Sequence, residues 1–170
     1  MQARASAASV VPLAAVSWLA GHLLAGSIPG PWSDALAFVV PGLLLAWASR
    51  RLPKGSAPAR IGAWMLRFSA LAFAAQGVFP FDAGDPDGFS SRMRALAWTL
   101  WWIAYAPGAL LQSRGRASIS ASALAVVLVC APALLPLPGA AMPAAAFVAT
   151  LAWLAWWFAS LRGALSRGAA

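Results

Sequence analysis

The sequence predicts an all-α integral membrane protein, a single bundle of six transmembrane helices. Three observations predict it. Hydrophobic residues make up 62% of the 170 residues and charged residues only 9%, against about 45–50% and about 25% in soluble domains. The mean hydropathy is +0.76. The apolar residues gather into six runs long enough to cross a bilayer, and the basic residues fall mostly in the turns between them. This balance excludes a water-soluble globule, and it is the reverse of the composition that keeps a chain disordered.

A hydrocarbon core of about 30 Å takes about 20 helical residues. The six runs, at residues 6–26, 33–49, 60–78, 93–111, 117–135 and 142–161, are of that order and form one domain over residues 1–170. The first follows Arg4 and carries Ala14, Ser17, Gly21 and Ala25 as a narrow small-residue face for close helix packing. Its basic start and its small residues Ala25-Gly26-Ser27 resemble a signal peptide, but it exceeds a signal core in length and reads as a retained anchor. The second is short, with Pro41-Gly42 at its centre, where a kink or partial unwinding is expected. The third holds Arg67 about two turns in, placed to snorkel back to the surface. It also offers Ser69, Ala70 and Ala74 for packing, and Gln76, whose amide is expected to bond across to another helix.

The fourth run carries Pro107-Gly108 and the fifth Pro132, both expected to bend their helices. The fifth presents Ser118, Ser122 and Ala125 on one side, and these small faces are expected to meet in the bundle interior. Turn chemistry separates the runs: Ile28-Pro29-Gly30-Pro31, Leu52-Pro53-Lys54-Gly55, Asp85-Pro86-Asp87-Gly88 and Pro136-Leu137-Pro138-Gly139.

Charge sets the orientation. With both termini on one side, Arg4, Arg50, Arg51, Lys54, Arg60, Arg114, Arg116, Arg162 and Arg167 share that side. The four acids, Asp34, Asp82, Asp85 and Asp87, share the other with Arg92 and Arg94. Basic loops stay in the cytoplasm, so both termini are predicted to be cytoplasmic. The net charge of +8 does not imply a nucleic-acid partner, because the basic residues are spread between apolar runs and not gathered on a soluble face. All but one of the 12 basic residues are arginine, a bias of GC-rich genomes. A multi-pass protein of a bacterial inner membrane is expected.

The 10 tryptophans divide into two groups. Trp32 and Trp98 lie near the outer boundary and Trp47 and Trp64 near the inner one, as interfacial belts do. Trp98, Trp101, Trp102 and Tyr105 form a stripe on the fourth run, and Trp153, Trp156 and Trp157 a second on the sixth. They read either as large rings filling gaps or facing lipid, or as walls of a groove for an apolar ligand such as a lipid, quinone or pigment.

Polar groups of several kinds gather only at the outer side: His22, Asp34, Asp82, Asp85, Asp87, Arg92 and Arg94. One histidine and one cysteine, Cys130, exclude a disulfide, a cysteine-built zinc site and multi-histidine centres. A calcium loop lacks its closing glutamate. No metal and no cofactor are expected. A headgroup pocket needs only what is present, an arginine on a phosphate and an aspartate on a hydroxyl or amine. The plain alternative is a solvated loop whose Asp–Arg pairs cap the fourth helix. No nucleophile elbow, phosphate loop or Cys–His pairing occurs, and Ser90 and Ser91 have no histidine near them in sequence.

The second run, from Ala35-Leu36-Ala37-Phe38 to Gly42-Leu43-Leu44-Leu45, precedes an arginine-rich turn, and the third ends in Gly77-Val78-Phe79-Pro80-Phe81-Asp82. This order resembles the six-span bacterial and archaeal membrane proteins of the domain of unknown function 998 family. The resemblance implies the six-span fold and no reaction. Members usually carry a histidine near the start of the fourth span, where this chain reads Ser90-Ser91-Arg92-Met93-Arg94.

The function expected is binding of a membrane lipid or other apolar small molecule, without catalysis. In that scheme Arg92 and Arg94 fix an anionic group, Asp82 orients it, and the stripe from Trp98 to Tyr105 holds the apolar body. An accessory subunit with a membrane-protein partner and an intramembrane lipid-modifying enzyme are the alternatives.

Overall fold

Each apolar run becomes one helix, the form that satisfies a segment's backbone within itself. The computed structural model describes residues 2–28 and 30–167, with side chains described within 9–28 and 30–164. The side chains of Arg4 and Arg167, and Pro29 of the first turn, lie outside that set. The helices are α1 (Gln2–Ser27), α2 (Pro31–Arg51), α3 (Ala57–Ala75), α4 (Phe89–Gln112), α5 (Arg116–Leu134) and α6 (Met142–Arg167). No strand occurs among the described residues. Four segments are long and apolar enough to cross a membrane, Ser9–Ser27, Pro31–Arg51, Arg116–Leu134 and Gly139–Ala164, which marks a membrane protein. In α3, Arg60 and Arg67 lower the average hydropathy, and in α4 the arginines and aromatic polar groups do so.

Every helix packs on its neighbours in sequence, and α6 returns to α1, so the six close into a ring. The tightest pair is α3 and α4. Gly62 and Gly108 permit this closeness, since a Cβ on Gly62 would lie 3.0 Å from the Gly108 carbonyl oxygen. Ser69 adds a bond there, its Oγ donating to Trp101 O at 2.9 Å. The small faces do not meet one another, contrary to expectation; each meets a helix adjacent to it in sequence. Ser17 Oγ donates to Leu36 O at 2.8 Å, tying α1 to α2 where Gly21 presses on Ala37. Ala70 and Ala74 of α3 receive Gly42 of α2, and Ser122 of α5 bonds to Trp156 of α6.

The break in α2 also differs from expectation. It does not lie at Pro41-Gly42 but one turn earlier, where Ala35–Val39 form a π-helical stretch and the Val40 N–H bonds to Ala35 O. Proline lacks an N–H and its ring crowds the carbonyl four residues back. Here that is Ala37, in the middle of the widened turn. α4 and α5 run on through Pro107 and Pro132. Gln76 is buried just past the end of α3, but its Nε2 has no partner, so the expected interhelical bond is not made.

Backbones across the ring stay apart, and aromatic rings fill the space between them. Phe73 of α3 lies 4.5 Å from Trp153 of α6 and 5.3 Å from Trp101 of α4, measured between ring centroids. Trp101, Tyr105, Trp153 and Trp157 are among the largest fully buried side chains.

Candidate functional site

The up-and-down course of the helices gathers two chemically different ends. At the acidic end, His22 stands in the last two turns of α1 with Nδ1 2.9 Å from Trp18 O. A carbonyl only accepts, so Nδ1 carries the hydrogen and Nε2 is left for another partner. The imidazole is exposed and borders rings from three helices, with centroids 4.7 Å from Trp18, 6.0 Å from Phe38 and 6.1 Å from Phe147. On Phe38 also rests Arg94 of α4, its Cζ 4.8 Å from the ring centroid. Arg94 Nη1 lies 3.6 Å from Asp34 Oδ1, with the two side chains 22% and 26% exposed.

Three of the predicted residues, His22, Asp34 and Arg94, are thus brought together from α1, α2 and α4. Phe38, the hub between the imidazole and the guanidinium, was missed by sequence reasoning. Its signal was the four-residue step from Asp34, which keeps both on one side of a helix.

The other predicted polar residues form a separate loop. Asp82 Oδ1 accepts from Gly84 N at 2.8 Å. Ser91 Oγ accepts from Asp82 N at 3.2 Å and donates to Asp85 O at 3.0 Å, while Ser90 Oγ donates to Pro80 O at 2.8 Å. Both serines thus bind the loop down onto the start of α4. The expected Asp–Arg caps are absent: α4 begins at Gly88 without a side-chain cap, and the ion pair described joins α4 to α2. Asp82, Asp85, Asp87 and Arg92 are exposed. Among the described residues no three of His, Cys, Asp and Glu stand close enough to hold a metal ion together.

The aromatic stripe requires correction as a ligand groove. Trp101 and Tyr105 are fully buried, Trp98 and Trp102 partly so. Trp101 packs edge to face on Trp98 and Trp153, and Tyr105 on Trp156. The stripe fills the middle of the helix ring because only side chains of that size reach across it. Five indole N–H groups, of Trp18, Trp101, Trp102, Trp153 and Trp157, and the Tyr105 hydroxyl have no hydrogen-bond partner. For Trp101, Trp153, Trp157 and Tyr105, near-perpendicular packing gives polarised ring edges a π face to meet.

At the basic end the structure shows recesses that sequence reasoning did not find. One of about 250 Å³ between α4, α5 and α6 is lined by Gln112, Arg114, Ser118, Ser122, Trp156 and Ser160, among others. Gln112 Nε2 donates to Pro53 O and Ala59 O, closing the α2–α3 turn against the end of α4. No family model, curated protein or solved structure matches this chain.

Proposed function

We propose that the chain is a six-span protein of a bacterial inner membrane, with both ends on the cytoplasmic side, and that it binds a lipid or similar apolar molecule without catalysing a reaction. Two features support six spans. α3 and α4, of 19 and 24 residues, measure roughly 28 and 36 Å at 1.5 Å per residue, and each is flanked by a helix capable of crossing. Orientation follows from the basic residues at one end and the aspartates at the other. The resemblance to the domain of unknown function 998 family bears on the six-span reading alone.

Lipid binding is carried by one observation, the meeting of His22, Asp34 and Arg94 around Phe38. A guanidinium has five N–H donors, and the contact to Asp34 engages one nitrogen at 3.6 Å. The donors left over serve an anionic or hydroxyl-bearing headgroup, Nε2 of His22, which also borders Phe38, is a further partner, and the apolar flanks serve its chains. The test is native mass spectrometry of the detergent-purified protein. Arg94→Gln and His22→Ala are expected to lower total retained lipid, whereas exposed Arg92→Gln leaves it unchanged. Equal retention in all three rejects the site.

A second reading has its own support. In both α1 and α5 only 28% of the apolar window is buried, leaving two broad flanks for a partner in a larger complex. Other chains co-purifying in mild detergent would favour it.

A further inference from the structure

Arg60, Ala63, Trp64 and Arg67 stand at i, i+3, i+4 and i+7 on α3 and so share one face. Ser49 and Arg50, in the last turn of α2, and Lys54 beyond it close on that face, and the seven residues line a recess of about 110 Å³. Four of them are cations and none is an acid. The ion pair described lies at the opposite end of the bundle, between Arg94 and Asp34. Arg67 sits deepest in the helix, its Cζ 5.5 Å from the centroid of the Trp64 ring. Like charges held together at the edge of a low-dielectric slab repel one another, and an anion among them removes that repulsion.

On the other side of the Trp64 ring, along the α3–α4 seam, lies an apolar groove. Trp64, Met65, Phe68, Leu100, Ile103 and Ala104 line about 400 Å³ of it. Phe68 and Leu100 then pass into a further 270 Å³ that ends at Phe79 and Met93. Between Trp64 and Ala75 the groove follows α3 for roughly 16 Å, about half of a 30 Å hydrocarbon core. Clustered cations and apolar trough thus border one another at the Trp64 ring.

We propose that this recess and groove bind an anionic phospholipid of the cytoplasmic leaflet. Its phosphate lies among Arg50, Lys54, Arg60 and Arg67, and one acyl chain runs along the α3–α4 seam. The arginine forks supply paired donors to the phosphate oxygens, and basic pockets between helices on the cytoplasmic side suit such headgroups. The inference rests on the membrane orientation proposed above and is independent of the His22–Arg94 cluster.

The test places the full chain in nanodiscs of phosphatidylglycerol and phosphatidylcholine in equal amounts and reads the retained lipid by native mass spectrometry. Wild type is expected to retain phosphatidylglycerol over phosphatidylcholine by about tenfold or more. Arg67→Gln and the exposed Arg60→Gln each reduce that preference about tenfold, the loss of one charge-assisted contact, and Arg67→Lys restores part of it. Ile103→Trp, which fills the trough, weakens retention of either lipid. Arg116→Gln, outside the recess, leaves the preference intact, and the losses from Arg67→Gln and Arg60→Gln are expected unchanged in an Arg94→Gln background, so failure of the two sites is read separately. Equal retention of the two lipids by wild type, an equal loss in Arg116→Gln, or displacement of the lipid by millimolar inorganic phosphate overturns the proposal.

Discussion

Ser122 shows what one buried hydroxyl does where three helices meet. Ser113 Oγ donates to Ala109 O at 2.8 Å, which uses its single hydrogen. The 2.6 Å contact between Ser113 and Ser122 therefore has Ser122 as donor, and Ser122 in turn accepts from Trp156 Nε1 at 2.8 Å. A relay runs from α6 through α5 to the end of α4. Removing its middle member strands a buried indole N–H, so Ser122→Ala is expected to destabilise the protein by about 1–2 kcal/mol. Trp156→Phe made in that background then costs less than in wild type. Thermal unfolding of the four members of this cycle in detergent measures the coupling, expected at about 0.5 kcal/mol or more. Strict additivity would show that the relay contributes nothing. The sequence flagged Ser122 as a small packing residue, but its partner 34 positions away was not legible, because hydrogen-bond direction depends on which helices become neighbours.

At the scale of elements, α2 is the informative one. Its ends were legible from turn residues, and so was the disturbance caused by Pro41. The location of that disturbance was not, because the strain falls on the preceding turn, where the carbonyl meets the ring. The widened turn Ala35–Val39 holds Phe38 and directly follows Asp34, so its winding sets the direction in which both face Arg94. Close by, Gly42 is where α2 touches α3: a Cβ there would sit 2.6 Å from Ala70 O and 2.7 Å from Ala74 N, both backbone atoms. Backbone does not move aside as a flexible side chain does, so Gly42→Ala forces the two helices apart. A loss of about 1–3 kcal/mol is expected, read as a lower unfolding temperature in detergent. Gly26→Ala, with nothing within 4 Å of its added Cβ, is the control and keeps the wild-type value. Equal stability of the two variants would mean that the α2–α3 contact is looser than the structure has it.

For the whole molecule, the positions of six helices were legible because bilayer length and turn residues mark them independently. The use made of the tryptophans was not legible. A stripe at helical spacing looks the same whether it faces lipid, a ligand or the far side of a ring, and only the closure of α6 on α1 decides among these. Closure also bears on how many helices cross. If α3 and α4 formed a hairpin that never left the cytoplasmic side, Gly55 and Ala117 would still be cytoplasmic and Gly139 still external. Of the turns, only the one holding Asp87 would change sides. The contact of Arg94, early in α4, with Asp34, at the opposite end of α2 from Arg50, supports crossing. Single cysteines in a Cys130→Ala background therefore give a clean measurement with a membrane-impermeant maleimide on intact cells. Asp87→Cys and Gly139→Cys are expected to label from outside, and Gly55→Cys and Ala117→Cys only after the membrane is opened. Should Asp87→Cys label with the Gly55 group, the bundle has four spans, and the acidic loop lies on the same face as the arginines.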